Sequence, residues 1–256
     1  MLSRNQQKKF LRKNRTRIIF HLEAFCEKRD SVDLHKMRLA IKKLKAFIYF
    51  LSKTTKLKNF TNFLSPVKSI FKHAGNIRNA QVTMELTKNF NLKNKRFCVE
   101  QEKIVESESV QFCRKALVSI DTIEQTLLGI FPYLKDKKTK RIVKFFKNEI
   151  QKSETGLHKN MNTEEWHTLR KKIKNIIYIY KMTGQSVIQK IPLNIRYLED
   201  LQESIGKWHD IMMASDLTYQ QTGSSKILLE KLHLQSTAQN EQLISSVKEF
   251  SKKANL

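Results

Sequence analysis

Two stretches of this sequence, about half its length apart, carry the same interleaving of apolar and basic residues, and only a helix satisfies either pattern. In the first, Leu34, Met37, Ile41, Leu44, Ile48 and Leu51 recur at alternating steps of three and four, the heptad seam that faces a bundle core. His35, Arg38, Lys42 and Lys45 keep the same steps one residue later. One residue is about 100° of helix rotation, so these four side chains form a cationic stripe beside the buried seam. In the second, Trp166, Leu169, Ile173, Ile176 and Tyr180 make the seam, with His167, Arg170 and Lys174 one residue on. The fourth stripe position there is Ile177, with Lys171 and Lys172 nearby.

His35 to His167 is a step of 132 residues, and Gly75 to Gly206 a step of 131. Two landmarks at one spacing imply an internal duplication: a four-helix half over 1–131 and another over 132–256, facing about a pseudo-twofold axis. Only 6 Gly and 3 Pro interrupt the chain, and its apolar spacing follows 3.6 and not 2, so the expected class is all-α. Ser31-Val32-Asp33, Ser65-Pro66, Phe131-Pro132 and Pro192 mark helix starts. The resulting helices lie near 5–28, 32–52, 66–89, 98–128, 136–156, 163–182, 193–220 and 225–253.

Charge narrows the partner. The chain has 49 basic and 24 acidic residues, a formal +25 that repels itself unless a polyanion is present. Hydrophobic residues at 40%, among them 15 Phe, supply a core, so this is a folded domain and not a basic tail. Lys8, Arg12 and Arg15 precede the first stripe as Lys140, Lys144 and Lys147 precede the second, so a neighbouring helix in each half can extend the basic wall. Arg offers phosphate a bidentate fork and Lys a movable charge. Cys26, Cys98 and Cys113 are widely separated and odd in number, so they are expected to be reduced core residues. The N-terminal region has no signal-peptide core and no apolar run approaches ~18 residues, so a cytoplasmic location with no membrane contact is expected.

At these residues the sequence resembles the CHAD family, the conserved histidine α-helical domain, whose hallmark helix reads His-x-x-Arg-x-x-x-basic-basic-x-basic and occurs twice. His35, Arg38, Lys42, Lys43 and Lys45 fit it fully; His167, Arg170 and Lys174 fit in part, with Asn175 and Ile177 at basic positions. A second family feature, a Gly followed by a polar residue and Asp after the third helix of each half, is similar to Gly75-Asn76-Ile77-Arg78-Asn79 and Gly206-Lys207-Trp208-His209-Asp210, with Asn79 in place of Asp. The resemblance implies two four-helix bundles around a basic channel that binds inorganic polyphosphate, and a location at polyphosphate granules. Some relatives carry a triphosphate tunnel domain with E-x-E-x-K; Glu106-Ser107-Glu108-Ser109-Val110 lacks the Lys, so a stand-alone form is expected.

The expected function is non-catalytic polyphosphate binding by His35, Arg38, Lys42, Lys43, Lys45, His167, Arg170, Lys171 and Lys174, extended by Arg12, Arg78 and Lys144. No cofactor or metal is expected: the seven His lack HExxH or an acidic cluster, and Arg one turn from His35 and His167 repels a cation. Mg²⁺-binding carboxylates and a Gly-rich phosphate loop are likewise missing beside the stripes. The main alternative is non-specific nucleic-acid binding, which the same charge would give weakly. A scaffold for acidic proteins is the third.

Overall fold

The computed structural model describes residues 1–55, 64–92, 95–184, 188–191, 193–219 and 226–255. Helix α1 (Arg4–Lys28) starts at a capping box, with Gln6 N–H donating to Ser3 Oγ at 3.2 Å and Ser3 N–H to Gln6 Oε1 at 2.8 Å. It stops where Arg29 enters the left-handed region at φ 58° and donates its N–H to Phe25 O. Helix α2 (Ser31–Thr54) follows at once, capped by the Asp30 carboxylate, which accepts from Val32 N–H. All six of its heptad residues are fully enclosed, packed on α1 through Leu11, Ile18, Leu22 and Phe25. Each such aliphatic side chain contributes about 1.5–3 kcal/mol by leaving water.

Helices α3 (Ser65–Asn89), α4 (Lys95–Val118) and α5 (Ile120–Leu128) come next, then a 3₁₀ turn at Phe131–Tyr133 with Pro132 in its first turn. After α6 (Thr139–Glu154), helix α7 (Thr163–Met182) carries the second seam from a second capping box, Asn162 with Glu165. That seam is also buried, from Trp166 to Tyr180. Helices α8 (Ile195–Tyr219), α9 (Lys226–Val247) and the short α10 (Phe250–Ala254) complete the chain, with α8 packed on both α7 and α9. Among the described residues the only β pairing is two isolated bridges, Leu2 with Lys137 and Leu193 with Asn255. At the first, Leu2 is fully enclosed, Gln7 Nε2 donates to Lys135 O at 2.8 Å, and Arg4 N–H donates to Asp136 Oδ1 at 2.6 Å. The all-α class therefore holds.

The helices gather into two compact units, residues 1–85 with 95–142 and residues 86–94 with 143–256. Where the repeat spacing sets a boundary at 131/132, this division runs through α3 and α6. The reason at α3 is its last turn: Leu86, Asn89 and Phe90 line one cleft with residues of α8 and α9.

Several sequence expectations need correction. The helix expected over 98–128 breaks at Ser119, whose hydroxyl donates to Lys115 O at 2.8 Å and competes with the backbone ladder. The one expected over 225–253 breaks at Glu249, which adopts φ 55°. The two Gly motifs lie inside α3 and α8, not after them, because the close approach they permit is between helices. Cys26 and Cys113 are not reduced but joined in a disulfide, with Cα atoms 5.4 Å apart; packing of α1 against α4 closes a sequence separation of 87 that spacing alone leaves open. The helix start at Pro192 lies outside the described residues. No helix among the described residues is long and apolar enough to cross a membrane.

Candidate functional site

In the first unit the basic stripe of α2 stands against α3. Arg38 is half-buried, its guanidinium 4.3 Å from the centre of the Phe71 ring, and its Nη1 donates to Phe71 O at 2.7 Å. Gly75 makes room for it: a Cβ there would stand 3.2 Å from Nη1. Lys45 Nζ sits 4.7 Å from the same ring, so Phe71 carries two cations. Burial, with Arg78 as the second cause, pushes Arg38 down to about 10. Lys42 and Lys43 are half-buried beside it, and His35 is exposed at the start of the stripe. Arg78 turns its fork onto Glu85, at 2.9 and 3.1 Å.

In the second unit α7 stands against α8 in the same local manner. Arg170 Nε donates to Gln202 O at 2.9 Å, and its guanidinium presses on Gly206 more tightly, 2.6 Å from a built Cβ. Burial lowers Arg170 as well, but Asp210 and Tyr178 oppose the shift. The His167 ring lies 5.8 Å from that of His209. Burial first, then Lys171, His209 and Arg170, hold His167 below the ordinary histidine range, against a weaker pull from Glu164. Lys174 is pushed down to about 8 by burial and then by Arg170. Lys171 is exposed, 3.8 Å from Glu164, and Ile177, the apolar residue in the stripe, is buried in the core.

The structure thus gathers His35, Arg38, Lys42, Lys43 and Lys45 along α2, with Arg78 beside them, and His167, Arg170, Lys171 and Lys174 along α7. Arg12 is exposed with its guanidinium 5.5 Å from the Phe131 ring, and Lys144 is exposed on α6; among the described residues no hydrogen bond or ion pair ties either to a stripe. Neither stripe histidine caps its helix, since Asp30 and Asn162 do so. His21, His73 and His158 pair instead with Asp33, Glu108 and Glu165. Among the described residues no three His, Cys, Asp or Glu cluster to hold a metal.

Sequence reasoning missed Phe71 and Gln202, and had His209 only as part of the second glycine motif. The signal for the first two was present: each lies four residues before its glycine, one helical turn away, so its carbonyl stands where the arginine passes.

Against known proteins, the family model described as the CHAD domain matches residues 9–218. No curated protein matches. The crystal structure of the CHAD domain from the plant Ricinus communis is similar with a TM-score of 0.72 and 15% identity, covering 99% of this chain and 93% of that one. At that identity the likeness speaks for the fold.

Proposed function

The chain belongs to the CHAD-domain family, which is associated with polyphosphate binding, and from that premise we propose that it binds inorganic polyphosphate without chemistry through the basic stripes of α2 and α7. One observation carries the reading. Arg38 and Lys174 are half-buried cations whose named electrostatic neighbours, Arg78 and Arg170, are cations too, and among the described residues neither makes an ion pair with a carboxylate. A desolvated cation beside another cation is costly, and a multivalent anion relieves both the desolvation and the repulsion.

The parts divide by role. Arg38 and Arg170 each spend one N–H on a backbone carbonyl, which fixes the guanidinium and leaves its other donors for phosphate oxygens. The flexible lysines Lys42, Lys43, Lys45 and Lys174 add point charges that follow a polymer of no fixed register. Affinity falls steeply with salt, and long polymer, which offers more phosphates to each stripe, binds tighter than short polymer. His167, held below its ordinary value chiefly by burial, adds charge at lower pH than an unperturbed histidine does.

The test is a titration with long-chain polyphosphate at near-physiological salt, with duplex DNA and RNA as competitors. It runs beside a Lys42→Gln/Lys45→Gln/Lys174→Gln variant that leaves both arginine–glycine junctions intact. Tight binding that nucleic acid does not displace, lost in the folded variant, supports the proposal. Binding to nucleic acid as strong as to polyphosphate, unchanged in the variant, sinks it.

A further inference from the structure

Helix α4 is held by one short patch. Of its described residues only Ser109, Phe112, Cys113 and Ala116 are buried, while Val99, Ile104, Val110, Leu117 and Val118 face solvent. Within that patch the Phe112 ring lies 5.7 Å from Phe25 and 5.5 Å from His73, and His73 Nε2 meets the Glu108 carboxylate at 3.1 Å. Cys113 is bonded there to Cys26 of α1. Arg29, which ends α1, turns its guanidinium onto the same spot: Nη1 donates to Ser109 O at 3.0 Å and contacts Cys113 Sγ.

A cross-link meant to be permanent gains nothing from a cation on its sulfur. A guanidinium stabilises a thiolate, which belongs to the reduced side of the equilibrium, and it makes that sulfur the better leaving group. The charge placed on Cys113 therefore points to a bond that opens.

We propose that Cys26–Cys113 is a reversible thiol–disulfide staple that fastens α4 to α1, with Arg29 selecting Cys113 as the sulfur that leaves. Cys26 is the more accessible of the two, so one thiolate of a dithiol reductant attacks its sulfur. The S–S bond breaks and its electron pair passes to Cys113, which departs as a thiolate beside Arg29. The reductant's second thiolate then attacks the reductant sulfur bound to Cys26, closing the reductant's own disulfide and releasing Cys26. Two electrons and two protons pass from the dithiol to the protein, and an oxidised dithiol drives the reverse. Once open, α4 keeps its small buried patch, the Arg29 contacts and the Glu108 contact with α3, but no covalent tie to α1.

The experiment uses the full chain with Cys98→Ser, because Cys98 is a third cysteine on the same helix, outside the disulfide. The protein is equilibrated across thiol–disulfide buffers of increasing oxidising power; free thiols are counted by alkylation and mass, and amide exchange is followed over residues 95–118. Cys26 and Cys113 are expected to titrate together in one two-electron transition, with α4 amides exchanging at least tenfold faster in the reduced protein. Arg29→Gln is expected to move the midpoint toward stronger reductant, and Cys113→Ser to show the fast exchange in every buffer. Thiols that stay free across the whole series, or α4 exchange identical in both states, overturn the staple. A midpoint unmoved by Arg29→Gln overturns the role given to the arginine. No polyphosphate is needed for any arm, so the outcome is independent of the proposed ligand.

Discussion

The arginine–glycine junctions of the two units share their backbone logic and differ in their electrostatics. At the first, Arg38 lies over an aromatic ring with Lys45, three lysines follow on the stripe, and the nearest charged influence is another arginine. At the second, no cation–ring contact of Arg170 occurs among the described residues; it feels Asp210 and is followed by Lys174, Asn175 and a buried Ile177. The glycine contact and the carbonyl hydrogen bond are common to both and hold one helix to the next. The surplus charge is not common to both. Helix docking and surplus charge are thus separable properties of one motif: the second unit keeps the first property in full and carries less of the second.

That contrast can be broken in four ways. The largest effect is expected from Lys42→Gln/Lys45→Gln, which removes two charge-assisted contacts of about 1.5–3 kcal/mol each and lowers polyphosphate affinity on the order of a hundredfold or more. Lys174→Gln removes one and costs about tenfold. A titration in which Lys174→Gln costs more than the double variant reverses the ranking of the two stripes.

Next come the glycines, read by thermal unfolding. Gly206→Ala drives a methyl into the Arg170 guanidinium and strains its bond to Gln202, an overpacking cost of about 1–3 kcal/mol. At Gly75 the approach is looser, 3.2 Å, so the gain of about 1 kcal/mol in helix propensity that Ala brings at either glycine offsets the cost there and only partly at Gly206. Gly206→Ala should therefore lower Tm by several degrees while Gly75→Ala stays near the parent; equal losses would mean that the two junctions are packed alike.

A smaller effect concerns protons. Lys174 releases its proton near pH 8 in the folded chain, while the unfolded chain keeps it to about 10.4. Between these values the unfolded state binds more protons, so stability rises with pH across that window, and Lys174→Gln should flatten the rise. A bound polyanion favours the charged amine, so polyphosphate binding at pH 8–9 should take up a fraction of a proton. Calorimetry in buffers of different ionisation enthalpy reads this directly, and the uptake should vanish in Lys174→Gln.

The smallest effect is Glu85→Gln. It frees the Arg78 fork from an exposed pair worth under about 1 kcal/mol and should raise polyphosphate affinity no more than a few-fold. A loss of affinity instead would show that Glu85 orients Arg78 productively.

Both seams were legible in the sequence because periodicity depends on the helix alone, and every heptad residue named there is buried. The stripes followed from the same geometry by one residue of rotation. What could not be read required knowing which helix lies against which. Phe71 and His209 matter because α3 and α8 pass beside the stripes, and Cys26 meets Cys113 because α1 and α4 cross. The breaks at Ser119 and Glu249 were invisible for a different reason: neither is Gly or Pro, and each turns on a local backbone choice that its side chain permits without announcing. Glu85 was passed over because a carboxylate seven residues from Arg78 shares its face only after two helical turns.

The bridge between Leu2 and Lys137 has a consequence for how the chain is made. Leu2, Gln7 and the first amides of α1 find their partners at residues 135–137, so this segment cannot finish docking until about 130 further residues have been synthesised. At ~5–20 residues per second that interval is on the order of ten seconds, long compared with the formation of a helix. During it, the leading turn of α1 stays unanchored, and nascent-chain chaperones have their clearest opening there.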